Sequence, residues 1–464
     1  MEVKTISYND FIRGESSSEF VPSGGFSKAS QNLNLWKEPG IVYFREEETD
    51  RGGTTLTGNI IASTYDKNLA GNDGYFLDED GAFYTISGAT FTKRQTSTAD
   101  TFQLGTSEML QHRGVTYATG QSTIQALTGS DLSGITDSFW SGLSTGVRHP
   151  LERVENKMYV GNGNVIGSVT DVSTTTAVEI TLPTDVNITS LRKHPNGRNL
   201  IAFCGLTQDF SHTRGTPGRI YIVDLNIKDW VREIDIETQV EGSRLVGGTV
   251  YVTYGKEVGV FNGNGITSLN KRLENNVNTT TTYSHNLSHM EDTLLVRDGR
   301  DVLAYGDLGT GRVWWRPFRN VDGTEEINCI HYKGDNKLLV AYADGSNGDL
   351  VEIDYDNAGS GSATTTSGNP GFYTNHIDFG GEVQISRIDV VHDSSDGSGT
   401  ISFISYYVDH DETATEIETT SYTNVTASRT RIDMDVKTDV FQFRILPATS
   451  GIGIHSIRIY YEPI

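Results

Sequence analysis

The carboxylates are the first residues that could do chemistry. Asp78-Glu-Asp80-Gly81 sets three acids ahead of a glycine, as in calcium loops and in the Asp-box of sialidases. It fits neither. The box runs Ser/Thr-x-Asp-x-Gly-x-x-aromatic, and a calcium loop needs further ligands at fixed spacing and a closing carboxylate. The segment reads as a hairpin turn. Asp393-Ser-Ser-Asp-Gly-Ser-Gly399 and Asp409-His-Asp-Glu412 read as solvated acidic loops. A glycosidase would need two carboxylates at a set separation across a cleft, and no pattern marks such a pair. Arg148, Arg153, Arg192 and Arg219 lie outside the contexts in which a sialidase clusters arginines around its substrate's carboxylate. The 11 histidines are scattered, with His149, His194 and His331 at strand or loop edges in satisfied or solvated roles. Neither a P-loop nor a His-Glu-x-x-His helix occurs. The glycines of Gly161-Asn-Gly-Asn-Val-Ile-Gly167 have the wrong spacing for a dinucleotide site and form a turn. The expectation is a non-enzyme, with no catalytic residue, metal or cofactor.

Aromatic pairs offer a different chemistry, since rings stack on sugars. Trp314-Trp315, Tyr406-Tyr407 and Tyr460-Tyr461 are the candidates. Alternation along a strand turns one ring of each pair into the core and the other outward. Tyr407, with His410 and Asp411 in the acidic loop beside it, is the candidate surface-recognition set.

Elements able to position such residues are strands. The 464 residues include 50 glycines and are 36% hydrophobic, with Thr, Ser, Val, Ile and Tyr in short runs and few helix-forming stretches. A net charge of −23 disfavours sequence-independent binding to phosphate backbones. The two cysteines, Cys204 and Cys329, sit in strand-like runs and read as free buried thiols. The first 20 residues lack the pattern of a secretory signal, and no apolar stretch approaches a membrane span, so neither export nor membrane insertion is expected.

A repeat sets the architecture. Lys157-Met-Tyr-Val-Gly-Asn-Gly-Asn-Val-Ile166 reads as strand, glycine turn, strand, and the phrase returns from Thr249 to Phe261, Thr293 to Tyr305 and Lys337 to Ile353. Weaker copies start at Gly74, Gly114 and Asn199, the last opened by a polar insertion between Gly205 and Gly218. Spacing of roughly 40–46 residues suits four-stranded propeller blades. Seven blades are expected, at 43–97, 98–143, 144–184, 185–237, 238–276, 277–321 and 322–365, with six or eight as alternatives. Gly40-Ile-Val-Tyr-Phe44 would supply an outer strand to the last blade and close the ring.

The domains expected are an extended N-terminal arm at 1–38, a propeller at 39–365 and an antiparallel β-sandwich at 366–464. A Gly/Ser/Thr-rich run, 357–370, separates the last two. The arm carries Phe11, Phe20, Phe26 and Trp36 without a periodic strand or helix, so these four are candidate assembly contacts, docking on this chain or on a neighbour, with the neighbour favoured.

Gly24-Gly-Phe26, Asn32-Leu-Asn-Leu35 and Pro39-Gly40 at one end, and Tyr373-Thr-Asn-His-Ile-Asp-Phe-Gly-Gly381 with Ile385-Ser-Arg-Ile-Asp-Val390 at the other, resemble propeller-type structural proteins of tailed phages and related archaeal viruses. The resemblance touches both ends of the chain through short motifs. It implies a non-enzymatic virion protein of the tail, tail tip or nozzle, or head–tail junction, assembled in the host cytoplasm. Its partners would be other virion proteins in a homo-oligomeric ring or symmetric assembly, with a host-surface glycan as a further contact and no sequence-specific nucleic acid. The alternatives are a carbohydrate-binding, lectin-like propeller and a propeller glycoside hydrolase.

Overall fold

The computed structural model describes residues 3–8, 11, 33–36, 41–44, 48–52, 56–64, 73–171, 173–206, 216–273, 287–309, 311–319, 326–343, 348–355, 371–393, 400–408, 414–423, 428–447 and 453–464. The fold is all-β, and among the described residues seven sheets are four-stranded and antiparallel. Their first strands are Ile60–Thr64, Met109–His112, Leu151–Val154, Asn187–Lys193, Val240–Val246, Leu287–Met290 and Ile327–Gly334. Each of these meets the next, and the last meets the first. The closed cycle is that of a β-propeller.

Local chemistry explains the hairpins. A two-residue turn between twisted strands needs positive φ at both positions. Gly247 and Gly248 supply it at 54° and 79°, and Asp335 and Asn336, the side chains most tolerant of that region, at 48° and 52°. The middle strands are buried throughout, as in Gly74–Asp78 and Val115–Thr119, because each sheet is covered on both faces by its neighbours. Between the first and second sheets lie Tyr75, Leu77, Phe83, Met109 and Leu127. Between the seventh and first lie Cys329, Leu339, Leu350, Phe76 and Tyr84. Full burial of one such aromatic contributes about 1.5–3 kcal/mol. Cys204 and Cys329 are free and buried, as expected. Burial pushes both thiols up, Cys329 to about 11.

The closing strand differs from the expected one. Glu48–Asp50, not Gly40 to Phe44, is the outermost strand of the seventh sheet. Immediately after it, the Arg51 and Gly52 N–H groups donate to the Leu350 carbonyl at 2.8 and 3.2 Å. Arg51 grips Glu352 through two hydrogen bonds of 3.2 and 3.0 Å, and Lys333 Nζ adds a third at 2.7 Å. The more strand-like residues are used elsewhere: Tyr43–Phe44 pairs with Leu33–Asn34, and Val42 bridges to Ile454.

Tertiary contacts divide the chain into two compact units, Thr49–Arg300 with Glu325–Glu352, and Met1–Glu48 with Asp301–Thr324 and Ile353–Ile464. In the second of these, the antiparallel module expected as a sandwich is hydrogen-bonded as one seven-stranded sheet. Its long strand Arg429–Pro447 makes this possible. The first part pairs with Ile377–His392, and the residues from Phe441 onward pair with Thr400–Val408. Buried residues alternate along it through Ile432, Met434 and Val436, giving one apolar face.

The arm is also corrected. Lys4–Tyr8 is a strand, antiparallel to Ile454–Pro463 at that sheet's edge. Phe11 is buried edge-on against Phe372 at 5.1 Å, and Trp36 packs on Trp315 and Tyr355 at 5.2 and 4.7 Å. These described parts meet partners within their own chain, two apolar rings and the edge strand Ile454–Pro463.

Candidate functional site

Charged residues recur on or beside the innermost strands of the propeller. Glu108 precedes the second sheet's first strand, Glu152 lies on the third's, Arg192 on the fourth's, Arg244 on the fifth's and His289 on the sixth's. Together with Ser63 they line a cavity of about 240 Å³.

Arg192 binds three strands. Its Nε donates to the Ser243 carbonyl at 2.7 Å, its Nη1 to the Leu191 and Leu151 carbonyls at 2.6 and 3.4 Å, and Nη1 lies 3.6 Å from Glu152 Oε2. Burial raises the Glu152 carboxyl above its ordinary range, against the pull of Arg192. Arg244 directs Nε and Nη2 at His289 Nδ1, at 3.3 and 3.2 Å. That nitrogen must accept, which leaves the ring's proton on Nε2 and the imidazole neutral. Burial, with Arg244 and His331 nearby, pushes His289 down to about 3. His331 is pushed down to about 4, chiefly by burial, and its ring nitrogens face Ser63 Oγ at 3.2 Å and the Asp73 carbonyl at 3.0 Å.

Glu108 and Arg148 complete the cluster. Glu108 Oε2 accepts the Leu151 N–H at 2.8 Å, while its buried Oε1 has no hydrogen-bond partner among the described residues. Arg148, only 3% exposed, reaches from the segment before the third sheet to the Glu241 carbonyl on the fifth sheet's first strand, at 2.5 Å. Its Nε and Nη2 have no partner among the described residues. Burial lowers this guanidinium to about 10, with Glu241 and Glu108 opposing. Neither Arg148 nor Arg244 has a carboxylate within 4.0 Å among the described residues. The arrangement is suited to hold negative charge.

The residues singled out in the sequence fare unevenly. Asp78 is the structural turn residue expected: its Oδ1 accepts the Ala82 N–H at 2.7 Å, and its Oδ2 takes the Tyr84 hydroxyl at 2.7 Å. Trp315 is buried and Trp314 half-buried, as alternation requires, whereas Tyr460 and Tyr461 are both half-buried, the first under the Arg387 guanidinium at 3.9 Å. Among the assembly candidates, Phe11 and Trp36 pack as described above, while Phe20 and Phe26 lie outside the described residues. Tyr407 falls on Thr400–Val408, paired with Phe441 and Thr415, and His410 and Asp411 lie outside the described residues.

Of the four arginines weighed, Arg192 lines the cavity, Arg148 is buried against the Glu241 carbonyl, and Arg219 joins Asp185 and Asp235 at the surface. Glu108, Glu152, Arg244 and His289 were missed. Two short patterns also escaped the motif reading. Gly142-Leu-Ser144-Thr-Gly146 has the spacing of a nucleophile elbow, but it joins two strands without a helix, and the Ser144 N–H donates to Asn162 Oδ1. His285 and His289 stand four apart, with His285 outside the described residues and His289 on a strand. Among the described residues, no group of three or more His, Cys, Asp or Glu is placed to hold a metal. No described helix is long and apolar enough to cross a membrane.

No protein-family model matches the chain, and no curated protein does. Solved structures do match. Raptor from Chaetomium thermophilum aligns at 12% identity and TM-score 0.45, over 64% of this chain and 28% of that one. A chain of the mitotic checkpoint complex aligns at 8% identity and TM-score 0.42, over 67% and 92%. The Dos1 propeller aligns at 10% identity and TM-score 0.44, over 68% and 95%. The chain thus spans little more than a quarter of Raptor's length. At such identities the likeness concerns fold alone, and none of the three is named as a viral component.

Proposed function

We propose that this chain is a non-enzymatic assembly protein of a tailed-virus particle, a propeller whose rim joins neighbouring copies into a ring. The viral part rests on the resemblance at the two ends of the sequence. The observation that carries the assembly part is an apolar patch on the outer rim of the third and fourth sheets. Val178 is 61% exposed and Ile227 64%, with Val231 and Trp230 beside them on the fourth sheet's outer strand. Val178 projects at a bulge, where Ala177 to Glu179 stand opposite Gly167. Lys157 and Lys228 hold Glu179 from either side at 2.7 and 3.4 Å, which fastens the two sheets together under the patch. The outer strands of the first and fifth sheets instead carry Lys93-Arg94 and Lys271-Arg272. Charges of that kind discourage association, and an apolar patch invites it.

In this reading the occupant of the patch is a second copy, and the assembly stands in the tail, its tip or the head–tail junction. A host glycan remains a further contact for the exposed loops. Cryo-electron microscopy of purified particles tests the virion part: density fitting this sequence in a symmetric ring or projection supports it, and absence from particles overturns it. Sedimentation velocity of Val178→Glu with Ile227→Glu tests the rim. Loss of oligomers in a folded variant supports the patch, and unchanged oligomers overturn it.

A further inference from the structure

We infer that the propeller channel binds a small oxyanion, of the carboxylate or phosphate class, between Arg244, Arg192 and His289. This does not rest on the assembly reading. A buried guanidinium is strongly disfavoured unless its charge is compensated. Arg192 has that compensation in Glu152. Among the described residues, Arg244 has only a neutral imidazole as hydrogen-bond partner and no carboxylate in ion-pair contact. A buried guanidinium so placed in a chain of net charge −23 runs against its overall composition.

Space and donor geometry agree. The cavity of about 240 Å³ bordered by Arg192, Arg244 and His289 would hold roughly eight waters at liquid density, enough for a tetrahedral or planar oxyanion with its hydration. Arg192 Nη2 and Arg244 Nη1 make none of the hydrogen bonds described above, and His289 Nε2 carries the ring's proton. These three donors come from the fourth, fifth and sixth sheets. Guanidinium forks match the paired oxygens of both ligand classes. Glu108 and Glu152 would turn away a larger polyanion while accepting a hydroxyl or a protonated oxygen of the ligand.

The test is calorimetric titration of the full chain at fixed ionic strength with inorganic phosphate and, separately, with succinate, using chloride as the matched control. Saturable binding of either supports the site, and the stronger of the two names the source. Arg244→Gln should weaken it at least tenfold, with near-ultraviolet circular dichroism confirming the fold. Should that variant fail to fold, Arg244→Lys, which keeps the charge and loses the fork, is expected to weaken binding several-fold. The inference is overturned if neither anion binds more tightly than chloride, or if a folded variant binds as the unaltered chain does.

Discussion

Gly74 and His331 show how finely the seventh and first sheets are fitted together. A Cβ at position 74 would fall 2.5 Å from His331 Nε2, the atom that faces the Asp73 carbonyl. Gly74→Ala should therefore displace the ring and cost about 1–3 kcal/mol, read as a lower urea midpoint at unchanged slope. The same ring makes stability pH-dependent. Its folded pKa of about 4 lies below the ordinary 6.5, so the unfolded chain takes up the proton first as pH falls. Stability is complete above about pH 6.5 and declines toward pH 4, by on the order of 3 kcal/mol for this group. His289, pushed to about 3, extends the decline. His331→Gln should flatten this part of the pH profile in denaturant titrations, and an unaltered profile would refute the assignment. Phe11→Ala should cost about 3–5 kcal/mol in the unit that holds Phe372. The channel residues were hard to read because each comes from a different strand. One signal was available: Glu152 and Arg244 both stand two residues before the end of a first strand, and both pair with a tyrosine, Tyr159 and Tyr251.

Hairpins were the most legible elements, because the turn chemistry is local. Lys157 to Ile166 and Lys337 to Ile353 form strands about the turns read for them. Edges were the least legible. Glu48-Thr-Asp50 is short and acidic, with no apolar alternation to mark it, and its role depends on a partner about 300 residues away. Gly40 to Phe44 reads more like a strand, and of it Tyr43–Phe44 is drawn to Leu33–Asn34 and Val42 to Ile454. Lys4–Tyr8 was invisible for the same reason, since only the edge of Ile454–Pro463 gives it a register. The closing contact yields a prediction at this scale. Arg51→Ala removes two charged hydrogen bonds from Glu352 and should cost about 2 kcal/mol, seen as faster amide exchange in Asp349–Asp354. Protection unchanged from that of the original chain would show the clasp to be dispensable.

For the molecule as a whole, the ring has a consequence for the order of events during synthesis. Residues 48–52 leave the ribosome some 300 residues ahead of their partners at 350 and 352. At roughly 5–20 residues per second, the interval is on the order of 15–60 s. Throughout it, the newest completed sheet presents an open flank, which the chain's acidic charge helps to keep from other nascent chains. Strand Lys4–Tyr8 waits longer still, for Ile454–Pro463. Each seam can be sewn only after its later partner has emerged, so a product terminated before residue 350 is left with both of them open.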